Sequence, residues 1–348
     1  MRRPIGVVGT GSHLPPTAVG NHEIGAAAGV TDEWITRKTG IRSRRRAAPH
    51  EATSDLAAQA ARAALAQAGI EPDRLSYVVV ATSTPDHPQP ATAGIVQHLI
   101  GATNAAAFDV NSVCSGFVFA LTVASGLLRD RPDRHALVIG ADIYSRILDY
   151  SDRRTAILFG DGAGAVVLGP VPEGQGLLDT RLTTRGDQHE LIGVPAGGSR
   201  LPTSAATLAE GSHHFRMDGR GVRRFVEDSL AREVDALLHS ASVRPEDIRH
   251  FVPHQANGVL LGEVWPTLGL PNATCHLTVE HHGNTGAASI PITLDLANRE
   301  GLLAEHDLVL LCGFGGGMSV GSSLLSWTPT HTTHPPEPAL AASSRTTP

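Results

Sequence analysis

Residues Asp109–Leu121 have the sequence DVNSVCSGFVFAL, in which a polar turn separates a β-strand from a helix. The apolar run Ala106–Val110 precedes the turn, and a second apolar run follows it. Similar β-branched runs at Ile5–Gly11, Tyr77–Ser83 and Ala136–Asp142 indicate further buried strands. Because helical stretches lie between these runs, the sequence predicts an α/β fold with a mostly parallel sheet.

The segment SDLAAQAARAALAQAGI is predicted to form a long helix, since it consists mainly of strong helix formers. Ser54 is the expected N-cap, and Gly69 is the expected residue just past the last turn. The basic cluster RSRRR at Arg42–Arg46 comes before this helix, and we expect it to form a solvent-exposed loop.

The second half of the chain has the same order of strand, polar loop and helix as the first. A connector rich in Pro and Gly, Pro170–Gly176, lies between the two halves. We therefore expect an internal duplication, with one half at residues 1–172 and the other at 173–330. The tail 331–348 is rich in Pro, Thr and Ser and is predicted to be disordered.

Composition and charge narrow the classes of partner. The 348 residues carry a formal net charge of −6, and no long basic block occurs, which argues against nucleic acid as a partner. No apolar run approaches the ~20 residues that a membrane span requires. Three cysteines without CxxC spacing and without a signal peptide argue against a disulfide framework and predict a cytoplasmic protein.

Three polar residues at loop-to-helix junctions could form a catalytic set. Cys114 lies at a predicted helix start, where unpaired N–H groups and the helix dipole stabilise a thiolate. A buried structural role is commoner for cysteine, and it suits Cys275 and Cys312, which have no such setting. His254 follows an apolar strand in FVPHQAN, and Asn284 precedes a helix in HHGNTGAASIP. Each is weak evidence alone, but together they form a Cys/His/Asn set.

Other motifs have a functional and a structural interpretation. The loop LCGFGGGMSVG could supply backbone N–H groups for half of an oxyanion hole, or it could be a tight turn. The motif GDGAGA, at Gly160–Ala165, lacks GxGxxG spacing and is expected to lie in a strand instead of a dinucleotide site. The histidine pairs are adjacent residues and no HExxH occurs, so we expect no metal site.

Taken in chain order, these motifs resemble β-ketoacyl-acyl-carrier-protein synthase III, a family of condensing enzymes in the thiolase-like superfamily. The resemblance implies a duplicated βαβαβαββ core in five αβαβα layers, and a homodimer. It covers nearly the whole chain through these segments: GVVGTGSHLP, DEWITRKTGIRSRR, CSGFVFAL, SDRRTAILFGDGAGAVVL, VPHQAN, GNTGAASIP and FGGGMSVG.

The resemblance also implies a reaction and its residues. An acyl-CoA starter acylates the cysteine, and a malonyl thioester then loses CO2 and attacks the acyl-cysteine. No cofactor and no metal are implied, because acyl-CoA is a substrate. The family positions fall as follows: catalysis on Cys114, His254 and Asn284; oxyanion-hole N–H groups on Cys114 and Gly317; coenzyme A contacts on Trp34, Lys38, Arg153 and Asn257.

The chain departs from the family pattern where an acyl carrier protein, a candidate partner, would dock. Val259 stands where the family commonly has arginine, and Glu263 follows in a helix that lacks the usual basic pair. Arg223 and Arg224 keep a basic patch on the preceding helix. We therefore expect the docking of an acidic carrier protein to be weakened, shifted or lost.

Two further departures concern the substrate. Lys38 replaces the usual arginine and lacks its planar stacking surface. Gln89 lies where housekeeping enzymes place a bulky aromatic side chain that closes the acyl pocket from the partner subunit. Together the departures suggest a specialised relative, such as a starter-unit synthase for a polyketide.

Three alternative functions remain open at this stage. The chain could transfer an acyl group from Cys114 to an alcohol or amine without condensation, although Asn284 would have little to do there. A papain-type hydrolase also uses Cys, His and Asn, but it has its own signature around the cysteine and is usually secreted with disulfides. A non-catalytic scaffold would have no need of the full set of catalytic residues.

Overall fold

The structure is a computed structural model that describes residues 4–131 and 133–330, so the predicted disordered tail lies outside the described residues. The strands are β1 Ile5–His13, β2 Thr17–Gly20, β3 Ser43–Arg46, β4 Leu75–Ala81, β5 Ala106–Val110, β6 His135–Ile143, β7 Asp161–Pro170, β8 Gly176–Thr184, β9 Ile192–Gly193, β10 Arg216–Met217, β11 Ile248–Pro253, β12 Thr274–Cys275, β13 Leu308–Gly315 and β14 Ser319–Ser326. The helices are α1 Asn21–Ala28, α2 Asp32–Thr39, α3 Thr53–Ala68, α4 Thr92–Ile100, α5 Gly116–Leu128, α6 Ala205–Ala209, α7 Gly219–Ala241, α8 Gly258–Val264, α9 Val279–His282 and α10 Ser289–Arg299.

Two five-stranded sheets repeat one topology. The first has the order β1-β7-β6-β4-β5, and the second has the order β8-β14-β13-β11-β12, so each strand has a counterpart at the same place in the other sheet. Read in this order, the first two strand pairs of each sheet are antiparallel, and the last two pairs are parallel. The duplicated core is thereby confirmed. The boundary at residue 172 stays a prediction, and it falls in the connector between β7 and β8.

The expectation of a mostly parallel sheet was wrong, because half of the strand pairs within the two five-stranded sheets are antiparallel. The segments that join β6 to β7 and β13 to β14 contain only short turns of 3-10 helix. A parallel pair needs a crossover of roughly a dozen residues or more, usually with an α-helix; residues 316–318 between β13 and β14 are too few, and residues 144–160 between β6 and β7 contain no α-helix. These strands therefore run antiparallel in each half.

The helices complete five layers around the two sheets. Helices α3 and α4 pack on the outer face of the first sheet, and α7 and α8 pack on the outer face of the second. Helices α5 and α10 lie between the sheets, where Phe117, Leu121, Ile290 and Leu294 share one core with strands of both sheets. Each such side chain contributes roughly 1.5–3 kcal/mol through burial. The layer order αβαβα agrees with the expected architecture.

Helix α3 has the predicted end but a different start. Gly69 adopts the left-handed conformation just past the helix, as expected. The N-cap position belongs to Ala52, whose N–H donates to the carboxylate of Asp55. Ser54 lies inside the first turn, and its N–H and hydroxyl both donate to Asp86. The prediction of Ser54 as N-cap was wrong because this partner is 32 residues away in the sequence.

The basic cluster forms strand β3 and not the expected exposed loop. It pairs with β2, and the Arg44 side chain is buried beneath it. Its guanidinium donates to the Asn21 Oδ1 at 2.7 Å and to the Ile157 carbonyl at 2.6 Å. Burial lowers the pKa of Arg44 to about 10. Such partners, which lie far away in the sequence, are not visible in the charge pattern.

Candidate active site

A cleft of about 280 Å³ lies where the two halves meet. Its walls include residues that follow strands of both sheets, at the ends where sites of α/β proteins usually form. The side chains that the resemblance assigns to catalysis and to coenzyme A all line it: Cys114, His254, Asn284, Trp34, Lys38, Arg153 and Asn257.

The turn that carries Cys114 is strained and tightly packed. Val113–Ser115 forms a short 3-10 helix that leads directly into α5. Val113 has φ of +47°, a conformation that costs a β-branched residue energy and that is common at functional sites. A Cβ on Gly315 would lie 2.7 Å from the Cβ of Cys114, so only glycine lets the facing strand approach this closely. The turn therefore presents the thiol at a fixed position.

The thiol itself is not a stabilised thiolate, contrary to the expectation from its helix start. Burial, together with the nearby Asp142 carboxylate, raises the pKa of Cys114 to about 12. Interaction with the Tyr144 hydroxyl lowers it, but less than burial raises it. Burial also raises the pKa of Cys275 and of Cys312 to about 12. Access to the cleft, and not acidity, distinguishes Cys114 from them.

His254 is a buried, neutral imidazole. His254 follows β11 directly, and its backbone N–H donates to the Cys312 carbonyl at 2.8 Å. The Nδ1 atom lies 2.7 Å from the Ser289 hydroxyl, and the ring meets the Phe314 ring edge-on at 5.2 Å. Burial lowers the pKa of His254 to about 3. The ring therefore carries a single proton near neutral pH, and Nε2 is the nitrogen left for the cleft.

Asn284 presents its amide N–H group to the cleft. Its backbone N–H donates to the Leu158 carbonyl at 2.9 Å, and its own carbonyl accepts from Gly160 at 3.0 Å. These bonds tie the second half of the chain to the first. The side-chain Oδ1 accepts from the Gly286 N–H at 2.9 Å. Because Oδ1 is used in this way, Nδ2 is the group that remains for a substrate oxygen.

The assignment of the second oxyanion donor to Gly317, which the resemblance implied, stays a prediction. Among the described residues that line the cleft, Gly315 is present and Gly317 is not. Gly317 has φ of +71° in the turn between β13 and β14, and its closest added-Cβ neighbour is the Ser319 hydroxyl at 3.6 Å. The geometry therefore gives no support to Gly317 and places Gly315 against Cys114. Glycine spacing alone could not separate these neighbours.

The mouth of the cleft combines a flat aromatic surface with positive charge. The Arg153 guanidinium lies 5.8 Å from the centre of the Trp34 ring. Lys38, the only lysine in the chain, is exposed beside them. Asn257 has a structural role, since its Oδ1 caps α8 and its Nδ2 donates to the Lys38 carbonyl at 3.2 Å. The sequence did not predict this capping bond.

The predicted docking and pocket residues separate in space. Arg223 lines the cleft and pairs with Glu227 and with Glu263. Arg224 lines a different groove of about 770 Å³ beside α7. Gln89 is exposed and lies outside the lining of the cleft in this single chain. The docking patch and the role of Gln89 thus stay predictions.

Sequence reasoning missed the buried polar groups that contact the candidate catalytic residues or lie below them. Asp142 is buried and accepts from Ser83, Thr84 and Ala287 below the cleft. Ser289 bonds to His254, although it lies 35 residues away along the chain. Both occur in segments with clear motifs, but no spacing rule connects them to the site. The described residues contain no metal-binding cluster and no helix suited to span a membrane.

Comparisons with known proteins agree with this geometry. Two family models match: 3-oxoacyl-[acyl-carrier-protein] synthase III at residues 108–186, and the C-terminal part of that synthase at residues 238–327. Acetoacetyl CoA synthase NphT7 of Streptomyces sp. (strain CL190) is 58% identical over 323 residues, covering 92% of this chain and 98% of the relative. Beta-ketoacyl-[acyl-carrier-protein] synthase III of Symbiobacterium thermophilum is 41% identical and covers 93% and 98%.

Solved structures show the same similarity. The 3-oxoacyl-(acyl carrier protein) synthase III of Pseudomonas aeruginosa PAO1 superposes with a TM-score of 0.85 at 38% identity, over 94% of this chain and 99% of the other. The priming β-ketosynthase of the R1128 polyketide pathway superposes with a TM-score of 0.87 at 32% identity, over 94% and 98%. Fold and sequence therefore point to the same group of proteins.

Proposed function

Since this chain belongs to the 3-oxoacyl-[acyl-carrier-protein] synthase III family of condensing enzymes, we propose that its starter is acetyl-CoA and its extender malonyl-CoA. The product would be acetoacetyl-CoA. The name of the Streptomyces relative, at 58% identity, supports this choice. The observation that carries the proposal is the single cleft in which the Cys/His/Asn set meets the basic, aromatic mouth.

In the first half-reaction the Cys114 sulfur attacks the acetyl thioester. The carbonyl oxygen becomes negatively charged, and backbone N–H groups beside Cys114 stabilise it. The bond to the coenzyme A sulfur then breaks, and the thiol proton of Cys114 ends on that sulfur. Because the pKa of Cys114 is raised to about 12, the sulfur enters this half-reaction as a neutral thiol. The result is an acetyl-cysteine.

In the second half-reaction malonyl-CoA loses its carboxylate as CO2. The electron pair of the broken C–C bond forms an enolate, whose oxygen accepts from His254 Nε2–H and Asn284 Nδ2–H. The enolate carbon attacks the acetyl-cysteine, and the C–S bond breaks. Acetoacetyl-CoA leaves, and the released thiolate takes a proton from solvent. A neutral imidazole suits this role, since it donates one hydrogen bond without adding a buried charge.

The mouth of the cleft supports coenzyme A as carrier of the extender. Lys38 and Arg153 offer positive charge to its phosphates, and Trp34 offers a surface on which its adenine can stack. Arg223 is already paired with Glu263, and Val259 adds no charge. An acidic carrier protein would therefore gain little attraction from these two positions.

The test supplies purified protein with acetyl-CoA alone, and then with malonyl-CoA or a malonyl carrier protein. Intact mass should show an acetyl adduct on the wild type and none on Cys114→Ala. With malonyl-CoA, CO2 and acetoacetyl-CoA should appear. Asn284→Asp should still form the adduct but condense roughly 10²–10³ times more slowly, because it loses one oxyanion donor. Asn104→Asp, an exposed amide outside the cleft, is the matched control.

Three outcomes would contradict parts of the proposal. An adduct without CO2 from any malonyl thioester would favour acyl transfer to an alcohol or amine. Condensation with the carrier-bound extender alone would overturn the choice of malonyl-CoA. The absence of any adduct would remove the assignment of the cleft to acyl-CoA.

We also propose that two chains form a homodimer through the free edge of the first sheet. Strand β5 is the edge strand there, and its Asp109 carboxylate accepts from the N–H groups of Thr92 and Ala93. These two bonds anchor the loop of Gln89 beside the free edge, which would let the loop reach a partner.

Unpaired cysteines support a cytoplasmic location. The priming ketosynthase among the relatives supports a role in starter-unit supply.

A further inference from the structure

The hydroxyl behind His254 lies in a closed, polar environment. Ser289 is the first residue of α10 and is almost completely buried. Its Oγ lies 2.7 Å from His254 Nδ1 and 3.3 Å from the backbone N of Gln255. A serine hydroxyl has one proton to donate and two lone pairs with which to accept.

The partners of this hydroxyl decide where its proton goes. The Gln255 N–H can only donate, so it uses one lone pair of Oγ. If His254 Nδ1 also carried a proton, it would use the second, and the hydroxyl proton would have no partner among the described residues. A buried donor without an acceptor costs about 1–3 kcal/mol. The satisfied arrangement is a hydroxyl that donates to an unprotonated Nδ1.

The Gln255 N–H is held firmly in this position. The side-chain Nε2 of Gln255 donates to the Pro253 and His276 carbonyls. Its Oε1 accepts from the N–H groups of Thr278 and Val279. Because the whole residue is fixed by these bonds, its backbone N–H does not turn away from Ser289.

We propose that Ser289 is a positioning residue that keeps the proton of His254 on Nε2, where it faces the cleft. This inference rests on the proposed condensation. With the proton on Nε2, the developing enolate meets two donors, His254 and Asn284. With the proton on Nδ1, the enolate oxygen would meet a lone pair on Nε2 and would be repelled. Since burial keeps the imidazole neutral, only one ring nitrogen carries a proton, and its position decides whether His254 can donate to the enolate.

The inference predicts that loss of the Ser289 hydroxyl affects the two half-reactions differently. Acylation of Cys114 needs no donor from His254 and should not depend on Ser289. Decarboxylation of the extender needs that donor. Ser289→Ala should therefore leave the rate of acetyl adduct formation within about twofold and lower the condensation rate about tenfold to a hundredfold.

The experiment has a spectroscopic readout that does not depend on turnover. Nitrogen NMR of protein labelled with ¹⁵N-histidine, with His254 assigned by comparison with His254→Ala, distinguishes protonated from unprotonated ring nitrogens. The wild type should show Nε2 protonated and Nδ1 unprotonated. Ser289→Ala should lose this single state, and Ser289→Thr, which keeps the hydroxyl, should recover it together with condensation.

Thr293→Val is the matched control. It removes another buried hydroxyl from α10, one that bonds to the Ser289 carbonyl and to Thr278 but not to His254. It should leave the tautomer and the ratio of the two half-reactions unchanged. Unfolding temperatures identify any variant that fails to fold, and the wild-type and Ser289→Thr spectra test the inference without the alanine variant.

A wild-type spectrum with the proton on Nδ1 would overturn the inference. An equal loss of acylation and condensation in Ser289→Ala would also overturn it, because a merely structural role has that effect. If the wild type acylates but never condenses, the proposed function fails, whereas the NMR spectrum still decides the role of Ser289.

Discussion

At the scale of one residue, opposing effects act on the Cys114 thiol. A helix N-terminus favours negative charge by about 0.3–1 kcal/mol, and up to about 2 kcal/mol in partly buried sites. Burial and Asp142 act the other way and raise the pKa from 9.0 to about 12. That shift corresponds to roughly 4 kcal/mol, so desolvation prevails. The thiol of Cys114 is therefore neutral near pH 7.

This balance predicts how alkylation depends on pH. Below the pKa the thiolate fraction increases tenfold for each pH unit. Because the pKa of Cys114 is raised to about 12, its iodoacetamide alkylation rate should increase without a plateau from pH 7 to pH 9.5. Alkylation is measured by intact mass in a variant with Cys275→Ala and Cys312→Ala. Free cysteine, whose rate levels off above its pKa near 8.5, is the control. A plateau below pH 8 would contradict the prediction.

At the scale of a structural element, the turn before α10 depends on one glycine. Gly286 begins the short 3-10 helix that precedes α10, and it has φ of +58°. A Cβ there would overlap the carboxylate of Asp142 and the ring of Tyr144. The same residue donates its N–H to Asn284 Oδ1 and so orients this side-chain amide. Gly286 therefore contributes both to the stability of the fold and to the geometry of the cleft.

Gly286→Ala should lower the free energy of unfolding by about 2–5 kcal/mol. The left-handed conformation costs an L-residue roughly 1–2 kcal/mol, and the overlap costs about 1–3 kcal/mol. Urea unfolding measures the change. Gly262→Ala, inside α8 with open space around an added Cβ, is the control and should be neutral or stabilising by about 0.5–1 kcal/mol. Equal stabilities of the two variants would contradict the strain argument.

The elements differ in how well their sequences predicted them. The core strands near Ile5 and Ala136 were predictable because apolar runs bounded by turns report burial directly. The Gly69 terminus followed from local backbone chemistry. The predictions for Arg44, for the N-cap of α3 and for the acidity of Cys114 were wrong. Each of these features depends on burial or on partners from distant segments of the chain. The motifs predicted Cys114, His254 and Asn284 as a candidate set, and the structure brings them to one cleft, whereas the bond between Ser289 and His254 required coordinates.

At the scale of the whole molecule, duplication places the two halves face to face, and β5 is an edge strand of the first sheet. Cys114 comes from the first half, and His254 comes from the second, so neither half alone contains the cleft. The edge strand β5 has unpaired backbone groups along one side, as every edge strand does. In α5, Val123 and Leu127 are exposed although they belong to a central-layer helix. An apolar surface of this kind is typical of a subunit interface.

Charges at Val123 and Leu127 should therefore dissociate the proposed dimer. Sedimentation of the wild type should give a species of twice the chain mass. In the double variant Val123→Glu, Leu127→Glu, the dissociation constant should increase at least about tenfold, because an unpaired charge would be buried in the interface. Leu208→Glu, an exposed leucine on α6, is the control and should remain dimeric. A monomeric wild type at micromolar concentration would contradict the proposal.

The lone lysine at the mouth of the cleft makes this protein unusually simple to label. Amine-reactive reagents have one side-chain target in 348 residues, and that target is Lys38. A dye or a surface linker attached there would lie beside Trp34 and Arg153, where the nucleotide part of a ligand would have to pass. Ligand in the cleft would shield the amine, and an attached dye would in turn report each arrival and departure. The chain thus carries a ready-made position for an optical sensor of its own occupancy.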